Sequence, residues 1–308
     1  MRRWAAGLLL LAALVVGVWI ARGEASPHPP GQWAPRAGVE PRYQDVSGLR
    51  VHYVRKGRGP ALILLHGLGS SIYTWADVIP ALAQDHDVVA ADLPGFGGSD
   101  VPDELASSVY PATVLGLLDR LGISRATLVG NSLGGAVAVV LAARHPERVR
   151  RLVLIDSAGY NLEPSKRPMI LRLVGSAPVA AALDALPIRR WLVTRALRQV
   201  FYDPARVTPE KVEEYLAPLA RPGATDAVRS LINDRSGFGL PALVSEVRVP
   251  TLIVWGRNDR WVPLADADRF AAAIPGSRKV VLEECGHVPQ EERPAEIVHL
   301  LEEFDPGR

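Results

Sequence analysis

The segment best suited to covalent chemistry is Gly130-Asn131-Ser132-Leu133-Gly134. It follows an apolar run, Ala126 to Val129, and opens a stretch with helical periodicity. A serine in a tight turn between a buried strand and a helix can act as a nucleophile. Its hydroxyl lies at the helix N-terminus, and the flanking glycines allow strand and helix to approach closely. We therefore predict that Ser132 is a nucleophile; alternatively, Ser132 only caps the helix.

A serine nucleophile needs a general base, and His287 is the histidine best placed for that role. It lies in a Gly/Pro loop between the last apolar run and the last helical pattern, and active sites of open parallel sheets assemble at strand C-termini. The alternative is a loop histidine with structural hydrogen bonds only. The other histidines fall in a leader, an edge hairpin, loops or helix ends: His28, His52, His66, His86, His145 and His299.

The base in turn needs a carboxylate that orients it. Asp259 follows the apolar run Thr251 to Trp255 and lies between Ser132 and His287 in the chain. Asp156 is the rival, because it follows the run Leu152 to Ile155. The chain order nucleophile, acid, base favours Asp259.

Two backbone N–H groups must bind the oxyanion that such a reaction creates. Leu133 follows the nucleophile and supplies one. The loop His66-Gly67-Leu68-Gly69, which follows the run Ala61 to Leu65, supplies the other from Leu68. Both donors are main-chain atoms, so their side chains are not decisive.

The elements that must position these residues are predicted by hydrophobic patterning. Continuous apolar runs indicate strands buried on both faces, as in a parallel sheet. These runs are Ala61 to Leu65, Val88 to Ala91, Ala126 to Val129, Leu152 to Ile155, Thr251 to Trp255 and, more weakly, Lys279 to Leu282. Helical patterns separate them at Ile72 to Ala83, Pro111 to Leu121, Leu133 to Arg144, Leu264 to Ala273 and Pro294 to Phe304. The alternation predicts an α/β fold with one doubly wound, mostly parallel sheet.

Two further features complete the expected domain, residues 42–308. Tyr43 to Lys56 alternates apolar and polar residues around Gly48, which predicts an edge hairpin. Residues 157–246 show helical periodicity and many prolines but no strand pair. A structureless loop of that length is rare, so we expect an inserted helical cap.

The N-terminus predicts a signal peptide or a membrane anchor over residues 1–25. Two arginines precede an apolar run over residues 4–20, which spans about 26 Å as a helix at ~1.5 Å per residue. That is just short of the ~30 Å hydrocarbon core, and Gly23-Glu24-Ala25 resembles a cleavage site. The expectation is thus an exported protein, periplasmic or extracellular, that is either released by cleavage or anchored through residues 4–20. Residues 26–41 carry five prolines and predict an extended linker.

Charge and cysteine content exclude several classes. With 35 basic and 33 acidic residues, the formal net charge is +2, which gives no reason to expect nucleic acid as a partner. Cys285 is the single cysteine, so neither an internal disulfide nor a thiolate metal cluster can form. The spacing of histidines and carboxylates predicts no metal, and the proposed chemistry needs no cofactor.

Five blocks of the sequence, in order, resemble the α/β-hydrolase superfamily over roughly residues 43–304. They are His66-Gly67-Leu68-Gly69, Asp92-Leu93-Pro94-Gly95-Phe96-Gly97, Gly130-Asn131-Ser132-Leu133-Gly134-Gly135, Asn258-Asp259-Arg260 and Gly286-His287. The resemblance implies an eight-stranded sheet with a helical cap after strand six. It supports Leu68 and Leu133 as oxyanion donors and implies structural roles for Asp92 and His66. A nucleophilic serine argues against the similar dehalogenase and epoxide-hydrolase branches, which use aspartate.

The blocks look like those of serine esterases and lipases, so the first functional expectation is hydrolysis of a small-molecule ester or lipid through an acyl-enzyme. The basic, amphipathic surface of the cap could also rest on anionic lipid, or be an ordinary solvated face. The second expectation is carbon–carbon bond hydrolysis of ring-cleavage products, whose enzymes share the Gly-Asn-Ser-x-Gly-Gly form. Gly67-Leu68-Gly69-Ser70-Ser71 departs from the Gly-Pro-Gly-Ala loop frequent in that branch. A third is a non-catalytic binding protein on the same fold.

Overall fold

The fold is organised around one twisted sheet, seen in a computed structural model that describes residues 31–103, 106–160, 175–176, 189–234 and 237–307. The sheet has eight strands in the order β1-β2-β4-β3-β5-β6-β7-β8. They are β1 (Arg42–Val46), β2 (Leu49–Lys56), β3 (Ala61–Leu65), β4 (Asp87–Ala91), β5 (Ala126–Asn131), β6 (Val149–Ile155), β7 (Thr251–Gly256) and β8 (Arg278–Leu282). β1 and β2 form an antiparallel hairpin, β2 is antiparallel to β4, and the other pairings are parallel. The predicted fold class is confirmed.

Burial explains why some strands give clear apolar runs in the sequence and one gives a weaker run. Every residue of β5 and β7 is buried, so those strands are apolar on both faces. β8 lies at the sheet edge, and its first two residues, Arg278 and Lys279, are exposed. The sixth apolar run is therefore weaker because half of its strand meets solvent.

Helices cover both faces of the sheet. Their bounds are α1 (Trp33–Ala37), α2 (Ile79–Leu82), α3 (Val109–Arg120), α4 (Leu133–Arg144), α5 (Arg189–Val200), α6 (Pro209–Leu219), α7 (Ala224–Asn233), α8 (Leu240–Val244), α9 (Leu264–Ala273), α10 (Pro289–Glu292) and α11 (Pro294–Phe304). One apolar cluster joins α3, α4, α8 and α9 to one face of the sheet. A second joins α1, α2 and α11 to the other face. This is the two-sided arrangement expected of a doubly wound sheet.

The segment expected to be one helix from Ile72 to Ala83 forms two short pieces. A 3₁₀ helix covers Ile72–Trp75, and α2 begins only at Ile79. The N–H of Ile72 donates to Asp92 Oδ1 at 2.7 Å, which fixes the first piece to the β4 loop. Tertiary hydrogen bonding thus interrupts a pattern that is locally helical.

Between β6 and β7, helices α5, α6 and α7 replace the regular strand–helix alternation. Apolar residues of α5 and α6 pack together with Phe201 and Val288 in a third cluster. Helices α7 and α8 fall within the expected cap, residues 157–246. Residues of both nevertheless pack into the core around α4. Residues 161–174 and 177–188 lie outside the described parts, so the division into body and cap stays a prediction.

The segment expected to be an extended linker, residues 26–41, contains α1 instead of extended chain over Trp33–Ala37. Gly38 ends α1 in the left-handed region at φ 64°, and Trp33 is buried in the core. The N–H of Gly31 donates to Glu214 of α6 at 2.8 Å. Burial of the tryptophan therefore outweighs the proline-rich composition around it. The expected signal peptide or anchor, residues 1–25, lies outside the described residues.

Asp305 closes the fold at the end of α11 and offers a test of buried polar contacts. It is 3% exposed, accepts a hydrogen bond from Thr127 Oγ1 at 2.6 Å and another from Arg150 Nη2 at 2.6 Å. Asp305→Ala should lower the free energy of unfolding by about 1–3 kcal/mol, because buried donors lose their acceptor. Urea unfolding measures the change.

Asp268→Ala is the matched control, since Asp268 is exposed and pairs with Lys279 at the surface. Its cost should be about 0–1 kcal/mol. Equal losses in the two variants would contradict the role given to Asp305.

Candidate active site

Ser132 occupies a strained turn between β5, which ends at Asn131, and α4, which begins at Leu133. Its φ of 53° and ψ of −114° are sparsely populated for a residue with a side chain, at a cost of about 1–3 kcal/mol. A Cβ on Gly134 would lie 2.1 Å from Leu65 O, and one on Gly130 would lie 2.3 Å from the backbone of Gly134. Only glycines allow this close approach, as predicted for a nucleophile elbow.

The turn is held by hydrogen bonds to neighbouring strands and loops. The N–H of Ser132 donates to Ile155 O at 3.1 Å, and its carbonyl accepts from the N–H of Ala158 at 3.0 Å. Asn131 Nδ2 donates to Ile155 O at 3.1 Å and to His287 O at 3.0 Å. The residue before the nucleophile is therefore bonded to the backbone of the candidate base.

His287 and Asp259 lie together, as the sequence predicts. His287 Nδ1 is 2.7 Å from Asp259 Oδ2. Asp259 Oδ1 accepts from the N–H groups of Trp261 at 2.7 Å and Val262 at 3.0 Å, which fixes the carboxylate. Trp261 stacks on the imidazole with 5.9 Å between ring centroids. A carboxylate acceptor holds the proton on Nδ1 and leaves Nε2 free to exchange a proton.

Asp156, the rival acid, lies beside this pair in a more buried position. It is fully buried and accepts from the N–H of Gly256 at 3.0 Å. Burial, followed by the charge of Asp259 and a hydrogen bond to it, raises the pKa of Asp156 well above its usual value. This shift favours the protonated form of Asp156. Asp259, which lies 2.7 Å from His287 Nδ1, is the better candidate for the orienting role.

One atom each of Asp156, Asp259 and His287 lie within 4.8 Å of one another, a spacing that could also surround a cation. A metal requires deprotonated ligands. Because the raised pKa of Asp156 disfavours its charged form and His287 Nδ1 is already bonded to Asp259, this cluster is better suited to orienting an imidazole.

The loop after β3 packs directly against the elbow. A Cβ on Gly67 would lie 3.2 Å from the Cβ of Ser132, so the residue before Leu68 is packed against Ser132. Leu133 is the first residue of α4, where N–H groups have no partner within the helix. Both predicted oxyanion donors are therefore on backbone that adjoins Ser132.

His66 and Asp92 fix the shape of that loop. His66 Nδ1 donates to Gly67 O at 2.8 Å, and Nε2 accepts from the N–H of Leu93 at 2.9 Å. Burial lowers the pKa of His66, so the ring is neutral in this arrangement. Asp92 accepts from the N–H groups of Ile72 and Gly98, each at 2.7 Å. These contacts agree with the structural roles that the resemblance implies.

Sequence reasoning missed two buried carboxylates in α10, Glu291 and Glu292. Glu292 Oε1 accepts from the N–H of Gly286, the residue before the base, at 2.7 Å. The one available signal was two adjacent acidic residues that follow the Gly-His-Val-Pro loop after one intervening residue, Gln290. Acidic residues are rarely buried without partners, but the sequence does not say which residues are buried.

Comparison with known proteins defines the class. A family model for the alpha/beta hydrolase fold matches residues 60–294, and the chain belongs to that family. It is a hydrolase.

Particular relatives refine the comparison. The chain is 33% identical over 277 residues to 2-hydroxymuconate semialdehyde hydrolase of Pseudomonas sp. strain CF600, covering 84% of this chain and 91% of that one. The structure of 2-hydroxy-6-oxo-6-phenylhexa-2,4-dienoate hydrolase from Rhodococcus sp. strain RHA1 superposes with a TM-score of 0.75 at 28% identity, over 86% of this chain and 98% of that chain. The structure of a membrane phospholipase A, described as a bacterial virulence factor, superposes with a TM-score of 0.72 at 28% identity, over 99% of this chain and 98% of that chain.

The expectation of an exported protein, periplasmic or extracellular and anchored through residues 4–20, is wrong. Relatives matched over most of the chain, such as 2-hydroxymuconate semialdehyde hydrolase, overturn it. The expectation depended on the hydropathy of about 17 residues, fewer than the ~20 needed to span a bilayer. Within the described ranges, no helix has both the length and the apolar character to cross a membrane.

The strained backbone at Ser132 predicts that a glycine variant at this position is more stable than an alanine variant. Ser132→Gly should be about 1 kcal/mol more stable than Ser132→Ala, because glycine adopts positive φ without strain. At Ser245, which has φ −72° and ψ −11°, the glycine variant should be the less stable of the two. Urea unfolding of the four variants gives both differences. The same order at both positions would contradict a strained turn.

The protonation of Asp156 predicts a pH effect on stability. Because its pKa is raised in the fold, the folded protein keeps a proton that the unfolded chain loses above about pH 4. The unfolding free energy of the wild type should therefore fall, relative to Asp156→Asn, as pH rises from that point. Unfolding in urea across a pH series measures the difference.

Asp259→Asn is the contrasting variant. The two variants are compared by the rate at which a fluorophosphonate labels Ser132. The labelling rate of Asp259→Asn should fall about 10⁴-fold by analogy with other triads. The labelling rate of Asp156→Asn should stay within about 10-fold of the wild-type rate, because an amide still accepts from Gly256 and donates to Asp259. Equal losses would show that Asp156 is the orienting acid.

Proposed function

We propose that this chain is a serine hydrolase in which Ser132 is the nucleophile, His287 the general base and Asp259 the orienting acid. The observation that carries the proposal is the 2.7 Å contact between His287 Nδ1 and Asp259 Oδ2, beside a serine in a strained elbow. Backbone N–H groups of Leu68 and Leu133 serve as the oxyanion hole. These features are what acyl transfer requires.

The reaction proceeds in two balanced steps. Ser132 Oγ attacks the substrate carbonyl carbon while its proton passes to His287, and the N–H groups of Leu68 and Leu133 bind the oxyanion. The leaving group departs with that proton, and an acyl-enzyme remains. Water then attacks the acyl carbon, His287 accepts a proton from the water and returns it to Ser132, and the acid is released. No metal or cofactor is needed for these steps.

For the substrate class, we propose a vinylogous diketone whose carbon–carbon bond is hydrolysed. The support is the identity of the relatives, which are named as hydrolases of 2-hydroxymuconate semialdehyde and of a 2-hydroxy-6-oxo-dienoate. The leaving group would then be carbon, so it must accept a proton before or as the bond breaks. This class was the second expectation from the sequence.

A small-molecule ester is the second candidate, and one local feature favours it. The loop Gly67-Leu68-Gly69-Ser70-Ser71 lacks the Gly-Pro-Gly-Ala form typical of the carbon–carbon branch. The structural likeness to a membrane phospholipase A supports an ester as well. An ester needs no prior protonation of carbon, so a mechanism with one base suffices.

A substrate panel separates the two classes. Purified protein is assayed against a 2-hydroxy-6-oxo-dienoate and against p-nitrophenyl esters of increasing acyl length. The carbon–carbon proposal predicts a kcat/KM for the dienoate at least about 100-fold above that for the best ester, a difference of roughly 2.7 kcal/mol in transition-state binding. The reverse order would assign the ester class.

Fluorophosphonate labelling tests the enzyme claim without knowledge of the substrate. The wild type should be labelled on Ser132, and Ser132→Ala should not. An unlabelled wild type that also turns over neither substrate class would instead favour a non-catalytic binding protein.

A further inference from the structure

Glu292 is buried between the loop of the candidate base and the segment that follows α5. It is 3% exposed, and its two carboxylate oxygens accept from different segments. The N–H of Gly286 donates to Oε1 at 2.7 Å, and the N–H of Tyr202 donates to Oε2 at 2.8 Å. One carboxylate thus accepts from two backbone donors that are far apart in the chain, one buried and one partly buried.

The two segments are also in direct backbone contact. The N–H of His287 donates to Val200 O at 2.8 Å, so the base itself is bonded to the last residue of α5. A Cβ on Gly286 would lie 2.3 Å from that same Val200 oxygen. Gly286 therefore permits a close approach of the two segments, and Glu292 supplies an acceptor for the neighbouring N–H groups.

The surroundings of Glu292 favour acceptance of hydrogen bonds. Burial raises the pKa of Glu292, whereas N–H groups of Gly286, Tyr202 and Asp203 and the charge of Arg206 act in the opposite direction. Glutamine at this position would keep the size and one acceptor oxygen while placing an NH₂ group against the second donor.

We propose that Glu292 is a positioning residue, which holds the His287 loop against residues 200–202 so that the base is placed for Ser132 only while that segment is docked. The proposal deepens the function proposed above and rests on it. A shift of ~1 Å in a reacting group can cost ~100-fold in rate, so loss of one buried carboxylate can have a catalytic effect without touching substrate.

Glu291 provides a matched comparison in the same helix. It is buried like Glu292, but its carboxylate contacts Thr74 Oγ1 at 2.7 Å and also Lys211 and Tyr215 of α6. Glu291 thus joins α6 to the body through side chains, whereas Glu292 joins the base loop to the end of α5 through backbone groups. Loss of either carboxylate should lower stability, but only loss of Glu292 should displace His287.

The first experiment measures inactivation of the full chain by a fluorophosphonate, well below the melting temperature of every variant. Glu292→Ala should lower the saturating inactivation rate by about 10- to 100-fold, with the half-saturating concentration within about twofold of the wild type. Glu292→Gln should recover part of the loss. Glu291→Gln should lower the melting temperature with less than about threefold effect on the rate, and Glu296→Gln, an exposed residue of α11, should change neither.

The second experiment measures backbone amide hydrogen exchange and does not depend on the reaction. In Glu292→Ala, exchange should accelerate at least about 10-fold in peptides covering 284–288 and 200–203 together, and Glu296→Gln should match the wild type. Unchanged exchange in either peptide would overturn the proposal, as would faster exchange with an unchanged inactivation rate.

The inactivation rate and the hydrogen exchange together distinguish failure of the proposed function from failure of the positioning role. A wild type that does not react with the fluorophosphonate would reject the proposed function, and with it the positioning role, even if exchange shows that the contact exists. Equal loss of rate in Glu291→Gln and Glu292→Ala would show a general loosening of the cap and overturn the specific role of Glu292.

Discussion

The structure depends on the close approach of β3, β5 and α4 around Ser132. Gly134 packs on the carbonyl of Leu65, Gly130 packs on Gly134, and the turn between them forces Ser132 to a φ of 53°. Such strain persists only where the surrounding contacts outweigh it. Here the burial of β5 on both faces provides those contacts, so the core of the sheet maintains the strained geometry of the site.

Three carboxyl groups near His287 differ in their surroundings. Asp259 accepts hydrogen bonds from two backbone N–H groups and lies 2.7 Å from the imidazole of His287. Asp156 is fully buried beside Asp259, and burial, followed by the charge of Asp259, raises the pKa of Asp156. Glu292 accepts hydrogen bonds from two backbone N–H groups. The three carboxyl groups thus differ in the donors and charges that surround them.

These differences mark the limit of what the sequence can predict. The strands, the elbow at Ser132 and the pair of Asp259 and His287 could be predicted because apolar runs, glycine spacing and chain order are local patterns. The raised pKa of Asp156 could not, since it depends on burial and on a residue about a hundred positions away. Glu292 was missed for the same reason, because Tyr202 lies 90 positions before it. The helix at Trp33 was missed because prolines around it suggested extended chain, while its stability comes from burial.

The position of α1 has a practical consequence for work with this protein. Trp33 contacts the ring of Tyr73 edge-on, with centroids 6.3 Å apart, and Tyr73 in turn contacts Tyr215 of α6 at 5.8 Å. Gly31 and Arg36 bond to Glu214 and Glu210 of the same helix. A shortened chain that starts at the first strand, which composition alone would recommend for expression, would lose Trp33 and with it the cover over one side of Tyr73.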